Sequence, residues 1–130
     1  MKVHMPTEHA EAVCLFRLVS LHEKAHPELL NFTAVPHGGF RHKATAGKLR
    51  AEGVRAGYPD FLLDVPRGEF HGLRIELKRR KSPPSAVSDE QHGWHQRLRA
   101  QGYRIEVCRG WEEAWAVVCD YLNITERTAR

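Results

Sequence analysis

The chain has 130 residues, of which 42% are hydrophobic and 28% are charged, and its formal net charge is +4. This length and composition predict one globular domain and exclude wholesale disorder, and the polar residues 123–130 predict a frayed tail. No apolar run approaches the roughly 20 residues that cross a bilayer, the first residues contain no apolar secretory segment, and the three cysteines form no CxxC pair. We therefore expect a cytoplasmic protein with reduced thiols and no contact with membranes.

The first predicted element is a helix that begins after Thr7 and ends near His26, since the following proline disfavours helical geometry in the residue before it. Two acids in its first turn, Glu8 and Glu11, lie close to the line of its apolar face, which favours an inward orientation. The alternative is that they only interact with the helix dipole. The apolar positions of this helix are Val13, Leu15, Phe16, Leu18, Val19 and Leu21.

Residues 31–57 read as an irregular segment that is rich in glycine and in basic side chains, with a short helix around residues 45–52. A basic loop of this length in a small domain is more often functional than idle. A plain solvated loop is the alternative interpretation.

A β-hairpin is predicted next, with strands at residues 60–65 and 73–80 joined by a segment that contains proline and glycine. If the pairing centres on the connecting segment, Asp60 pairs with Lys78 and Leu62 pairs with Glu76. Strand alternation then places Asp60, Glu76 and Lys78 on one face. The opposite face is apolar and consists of Phe61, Leu63, Val65, Ile75 and Leu77.

The last part of the chain predicts a helix, a strand and a helix. Ser88 and Gln91 have the spacing of a capping box at the start of a helix that runs to Gln101. Residues 103–108 alternate as a strand, and residues 111–122 form an amphipathic helix that is buried through Trp111 or Trp115 and through Val118 and Leu122. The whole order predicts an α/β fold in which helices flank a mixed sheet.

The charged face of the hairpin allows three interpretations. A structural ion pair would need one acid for the lysine and contributes little at a surface, and a solvated face would not account for the glycine and proline that precede Asp60. In a metal site, Asp60 and Glu76 would supply the carboxylate oxygens that Mg²⁺ prefers, and the Leu77 carbonyl would add a neutral ligand. Lys78 would then act on a water or neutralise charge on phosphorus.

Pro59–Asp60, followed after fifteen residues by Glu76–Leu77–Lys78, resembles the PD-(D/E)xK nuclease motif. The predicted order of elements resembles the restriction-endonuclease-like αβββα core of that superfamily. More specifically, the segments GVRAGYPDFLLD, IELKRRK, SDEQHGW and GYRIEVCRGWEEAWAVVCDYL together resemble the VRR-NUC family, and the resemblance spans about residues 6–122.

This resemblance implies an endonuclease that hydrolyses DNA phosphodiester bonds with Mg²⁺ or Mn²⁺ and needs no small-molecule cofactor. Asp60 and Glu76 would be metal ligands and Lys78 the catalytic lysine. Glu8 would be a further ligand, directly or through water, with Glu11 as the alternative. Gln91 would support the site or contact the substrate, although a capping role accounts for it equally well.

Short stand-alone members of the family resemble enzymes of bacteria or phages that cut branched DNA, notably four-way (Holliday) junctions, as homodimers. The resemblance implies the same here, with basic side chains that contact phosphates without reading sequence. Two alternatives stay open: a non-catalytic DNA-binding module of the same fold, and a sequence-specific restriction-type nuclease. The proposed phosphate contacts are Arg41, Lys43, Lys48, Arg50, Arg55, Arg79, Arg80 and Lys81.

Overall fold

A computed structural model describes residues 5–36 and 43–125 of the chain. The fraying expected at the C-terminus therefore falls mostly on residues 126–130, which lie outside the described part. Within the described part, four α-helices and four β-strands follow one another in the order α1, β1, α2, β2, β3, α3, β4, α4. Their bounds are α1 Glu8–His22, β1 Phe32–Ala34, α2 Lys43–Ala51, β2 Phe61–Leu63, β3 Leu73–Lys78, α3 Asp89–Ala100, β4 Arg104–Arg109 and α4 Trp111–Leu122.

The four strands form one mixed sheet in the spatial order β1-β2-β3-β4. Pairing is antiparallel from β1 to β3 and parallel between β3 and β4, and α3 provides the crossover that a parallel pair requires. The predicted mixed α/β architecture is thus confirmed. The first strand was not predicted, because three residues are too few to show an alternating pattern.

Strand β3 is the structural centre of the domain. All six of its residues are buried, because it has strands on both sides and is covered on both faces. The core is built on its odd-numbered positions, Leu73, Ile75 and Leu77, which pack with residues of α1 and α4. The polar side chains at its even-numbered positions, Arg74, Glu76 and Lys78, are therefore buried as well.

The observed hairpin register differs from the predicted one by two residues. Phe61 pairs with Ile75 and Leu63 pairs with Leu73, so the predicted pairs of Asp60 with Lys78 and of Leu62 with Glu76 are wrong. The prediction assumed that the strand pairing continues evenly into the connecting segment. It does not, because Arg67 N donates to Phe70 O in a separate turn and His71 N donates to Gly102 O. A shift of two preserves the faces, so the predicted charged and apolar faces survive.

Helix α1 begins as predicted, since the Thr7 side chain accepts a hydrogen bond from Ala10 N. It ends at His22, four residues before the predicted end, and a 3-10 helix follows at Pro27–Asn31. The broad apolar face predicted for it is only partly buried. Leu15, Leu18 and Val19 enter the core, whereas Val13, Phe16 and Leu21 are exposed.

The second half of the chain follows the prediction closely. Ser88 and Gln91 form both hydrogen bonds of the capping box at the start of α3. Trp115, Val118 and Leu122 of α4 are buried, and Trp111 is half-buried. No helix in residues 5–36 and 43–125 has the length and apolar character needed to cross a membrane.

Candidate active site

Asp60 stands just before β2, on a loop that delivers its carboxylate to the central strand. Its Oδ2 accepts a hydrogen bond from the backbone N–H of Leu77 at 2.7 Å. If the observed register is extended by one residue, Asp60 lies level with Glu76. The two acids of the motif are therefore brought together by the pairing of two strands, as strand alternation predicted.

Glu76 is held in the interior by two side chains of α3. Gln91 Nε2 donates to Glu76 Oε2 at 3.1 Å, and His95 Nε2 lies 3.4 Å from Glu76 Oε1. Only 1% of Glu76 and 2% of His95 are exposed. Burial, followed by the charges of Arg99 and Lys78, lowers the pKa of His95.

Ionisation of the Glu76 carboxyl is unfavourable in this environment unless a bound cation compensates for the charge. Burial raises its pKa above the usual range, and the negative charge of Glu8 acts in the same direction. Hydrogen bonding with Asp60 and the positive charge of Lys78 oppose the rise but do not cancel it. A divalent cation beside Glu76 would favour its ionised form.

The structure separates the roles of the two acids in α1. Glu8 lines the same cavity as Asp60 and Glu76. Glu11 points elsewhere: it is 1% exposed, and both of its oxygens accept hydrogen bonds from Arg80, at 2.8 and 2.9 Å. Its pKa is lowered, chiefly by the hydrogen bonds from Arg80. Of the two candidate helix acids, Glu8 is thus the one at the cavity.

Lys78 lies at the end of β3, two residues after Glu76 and therefore on the same face of the strand. Its side chain is largely buried, with the residue 7% exposed. Its charge acts on both Glu76 and His95. Leu77, between the two charged residues, lines a neighbouring cavity together with Glu8 and Asp60.

The cavity in front of these groups has a volume of about 270 Å³. Its oxygen-bearing side chains, those of Glu8, Asp60, Glu76 and Gln91, are hard donors of the kind that Mg²⁺ prefers. No three His, Cys, Asp or Glu side chains within residues 5–36 and 43–125 are grouped closely enough to hold a metal by themselves. Mg²⁺ commonly takes one or two carboxylates and keeps several waters, so a site for it would use Asp60 and Glu76, with waters completing the shell.

The loop before Asp60 is fixed to α3 by contacts that the sequence analysis did not identify. Trp94 Nε1 donates to Ala56 O at 3.0 Å, and the rings of Trp94 and Tyr58 meet edge to face at 4.9 Å. Gly57 has a φ of +91°, and a Cβ there would lie 2.7 Å from the backbone carbon of Glu90. Helix α3 therefore positions both acids, Glu76 through Gln91 and Asp60 through this loop.

Arg74 supports the same loop from β3. Its Nε donates to the Tyr58 hydroxyl at 2.9 Å, and its guanidinium lies 4.5 Å from the centre of the Tyr103 ring. In the sequence, the only indication of this role was strand alternation, which places Arg74 on the same face of β3 as Glu76 and Lys78. His95 also escaped prediction as a site residue, because its contact with Glu76 depends on how α3 packs on the sheet.

Four of the predicted phosphate contacts lie in α2 or on the segment after it. Lys48 and Arg50 are exposed on this helix, and Arg55 is exposed on the segment after it. Lys43 is its first residue, and Arg41 lies outside the described part of the chain. The three exposed cations remain candidates for DNA contact.

The other three predicted contacts follow β3 directly. Arg79 donates to the carbonyls of Met5 and Pro6, and Arg80 donates to Glu11 and Glu112. Lys81 is exposed and has a positive φ of 62°. Arg79 and Arg80, two of these three cations, are therefore already hydrogen-bonded within the protein.

Comparison with known proteins identifies the family of the domain. The VRR-NUC domain family matches residues 19–112, a segment that includes Asp60, Glu76, Lys78 and Gln91 but begins after Glu8. A solved structure described as "VRR_NUC domain protein" is 27% identical, with a TM-score of 0.78, and the match covers 92% of this chain and 91% of that chain. No curated protein matches the sequence.

The family match covers well over half of the chain, and the structural match covers nearly all of it. Together they confirm the family predicted from the sequence and assign the nuclease-type fold. The substrate class that goes with this domain is DNA. The chain belongs to the VRR-NUC domain family.

Proposed function

We propose that this protein is a metal-dependent, structure-selective endonuclease that hydrolyses phosphodiester bonds in branched DNA, such as four-way junctions, and works as a homodimer. The observation that carries the proposal is the convergence of Glu8, Asp60, Glu76 and Gln91 on one polar cavity, with Lys78 on the same strand face. A purely structural ion pair with Lys78 would need only one carboxylate.

Asp60 and Glu76 would hold Mg²⁺ or Mn²⁺, with the Leu77 carbonyl as a neutral ligand and Glu8 acting directly or through a water. The ion, when bound, would supply Lewis-acid polarisation of the phosphate and a water of lowered pKa. Gln91 and His95 keep the Glu76 carboxylate in one orientation, and the Leu77 N–H does the same for Asp60. Such supporting contacts set how well a site binds its metal.

Lys78 would act on the reacting phosphate or on the attacking water. Lys78 is 7% exposed and its charge acts on Glu76, and a positive charge in such a buried position stabilises developing negative charge more strongly than it would in water. Hydrolysis adds water to phosphorus and breaks one P–O bond, so the leaving oxygen must gain negative charge or a proton. A fixed cation favours either outcome.

The DNA shape and the dimer rest on the resemblance to short stand-alone family members. Two cuts at two-fold-related positions need two active sites, and residues 5–36 and 43–125 carry one such cavity with this donor set. Lys48, Arg50 and Arg55 are exposed and would bind phosphates without reading bases, which suits recognition of shape.

The proposal is tested by incubating the full chain with labelled four-way junction, flap and linear duplex DNA in Mg²⁺, Mn²⁺ or EDTA. We expect cleavage of the junction in either metal and none in EDTA. Asp60→Asn and Glu76→Gln should remove cleavage, whereas Lys24→Ala, at an exposed position just after α1, should not. Sedimentation of the free protein should give a dimer.

Other outcomes would identify other functions. Cleavage of linear duplex at one fixed sequence would favour a restriction-type enzyme. Junction binding without cleavage in either metal would favour a non-catalytic module. Cleavage that survives both Asp60→Asn and Glu76→Gln would refute the assigned site.

A further inference from the structure

The two arginines that follow Lys78 face the start of α1. Arg79 Nε donates to the carbonyl of Pro6 at 3.0 Å, and Arg79 Nη2 donates to the carbonyl of Met5 at 3.0 Å. These carbonyls immediately precede Thr7, the residue that caps α1. Arg79 therefore ties the entry of the helix to the end of the central strand.

Arg80 holds the same helix one turn further on. Its Nε and Nη2 donate to the two carboxylate oxygens of Glu11 at 2.8 and 2.9 Å, which is the paired geometry that makes arginine–carboxylate contacts specific. Arg80 Nη2 also donates to Glu112 Oε1 at 2.7 Å, and Trp111 N donates to Glu11 Oε1 at 3.2 Å. Helix α1, the end of β3 and the start of α4 thus meet at one buried carboxylate.

Glu8 lies between these two attachments. The carbonyls of Met5 and Pro6 are fixed on one side of it and Glu11 on the other, and both are fixed to residues that directly follow Lys78. Since the backbone of a helical turn is stiff, holding both ends sets where Glu8 projects. Glu8 in turn lines the cavity with Asp60 and Glu76.

We propose that Arg79 and Arg80 are positioning residues, which hold Glu8 at the metal cavity, and not phosphate contacts. This inference rests on the proposed function for the metal that Glu8 faces, and it departs from the sequence-based prediction that both arginines bind DNA. The hydrogen-bond partners explain the departure. Arg80 already lies between two carboxylates, Glu11 and Glu112, and therefore offers little uncompensated charge to a polyanion.

The first test measures Mn²⁺ affinity by isothermal titration in the wild type, Arg79→Ala, Glu8→Gln and the double variant. Arg79→Ala should weaken Mn²⁺ binding about tenfold, a typical effect of losing a supporting contact. Because Arg79 acts through Glu8, the double variant should bind no more weakly than Glu8→Gln. Additive losses in the double variant, or unchanged affinity in Arg79→Ala, would overturn the proposal.

The second test separates positioning from DNA contact. Junction binding is titrated at several salt concentrations in Ca²⁺, with Arg50→Ala as the matched control because Arg50 is exposed on α2. A lost phosphate contact lowers the slope of log affinity against log salt by about 0.9. We expect that loss for Arg50→Ala and an unchanged slope for Arg79→Ala and Arg80→Gln, both of which remove the charge. A slope reduced in the Arg79 or Arg80 variant would show that the residue binds DNA.

A third measurement remains decisive even if the wild type binds no metal and cuts no DNA, a result that would refute the proposed function. Ala10 N and Glu11 N donate to the side chain and carbonyl of Thr7 in the first turn. Their hydrogen exchange should be faster in Arg79→Ala than in the wild type, while exchange in α4 stays the same. Unchanged protection of these two amides would show that Arg79 does not hold the turn.

Discussion

Gln91 joins the cap of α3 to the buried carboxylate of Glu76. Its Oε1 accepts a hydrogen bond from Ser88 N at 2.8 Å, and its Nε2 donates to Glu76 Oε2 at 3.1 Å. The cap contact and a contact with the candidate site, which the sequence left as alternatives, are therefore both made, by the two ends of one amide. The position of the helix start and the orientation of Glu76 are coupled through this side chain.

Gln91→Ala should reduce both stability and activity. Loss of the cap contact is expected to cost about 1 kcal/mol of unfolding free energy, and loss of the contact with Glu76 should slow cleavage by roughly 10–100-fold. Urea unfolding and single-turnover cleavage of junction DNA measure the two effects.

Ser88→Ala is the matched control for Gln91→Ala. It removes the hydroxyl that accepts from Gln91 N but keeps the amide bridge to Glu76. It should lower stability by a similar amount and leave the cleavage rate unchanged. An equal loss of activity in both variants would show that the cap, and not the contact with Glu76, matters.

The stability of the metal-free protein should depend on pH through Glu76. Burial raises the pKa of this carboxyl above its usual 4.5, so the folded chain holds the proton more tightly than the unfolded chain. Stability from this group therefore increases as the pH falls from neutrality through the raised pKa, and it levels off near pH 4.5. Glu76→Gln lacks this response.

Thermal melting in EDTA between pH 7 and pH 4.5 tests this expectation. The midpoint of Glu76→Gln minus that of the wild type should become smaller as the pH is lowered. Subtraction removes the contributions of groups that titrate in both proteins. A difference that stays constant with pH would contradict a raised pKa for Glu76.

Lys78→Met should lower the cleavage rate by roughly 10²–10⁴-fold, the range typical of a general acid, base or charge stabiliser. It should also raise the pKa of Glu76 further, since the Lys78 charge is one of the effects that lower it. The pH–rate profile of the residual cleavage should therefore move to higher pH. A lower rate with an unmoved profile would place Lys78 away from Glu76 in solution.

Gly57→Ala should disturb the loop that carries Asp60. The positive φ at Gly57 and the approach of a Cβ to Glu90 both oppose the substitution, and we expect a loss of roughly 1–3 kcal/mol in stability together with lower activity. Gly53→Ala is the matched control, because Gly53 also has a positive φ, of +104°, but nothing lies within 4 Å of its Cβ position. It should cost stability through backbone strain and leave the cleavage rate unchanged.

The two acids of α1 should respond in opposite ways to the same change. Glu8→Gln should weaken cleavage with little effect on stability, because Glu8 is exposed at the cavity. Glu11→Gln replaces a buried acceptor of Arg80 and Trp111 N, and should cost roughly 1–3 kcal/mol of unfolding free energy. Denaturation and cleavage assays on both variants distinguish them; the reverse pattern would mean that Glu11 faces the metal.

The charged face of the hairpin could be predicted from the sequence, because strand alternation depends only on parity. Asp60, Glu76 and Lys78 stay together even though the true register differs by two residues, since a shift of two leaves every side chain on its face. The capping box at Ser88 and Gln91 was also predictable, because it depends on residues three apart. Local spacing thus determined the motif and the helix that supports it.

The roles of the longer-range groups were decided only by tertiary structure. Whether Glu8 or Glu11 faces the cavity depends on the rotation of α1 against β3, and the observed rotation brings Glu11 to Arg80, 69 residues along the chain. The contacts of His95 with Glu76 and of Tyr58 with Trp94 likewise require α3 to be packed on the sheet. Periodicity in a sequence fixes which residues share a face, whereas the pairing of faces is a property of the folded core.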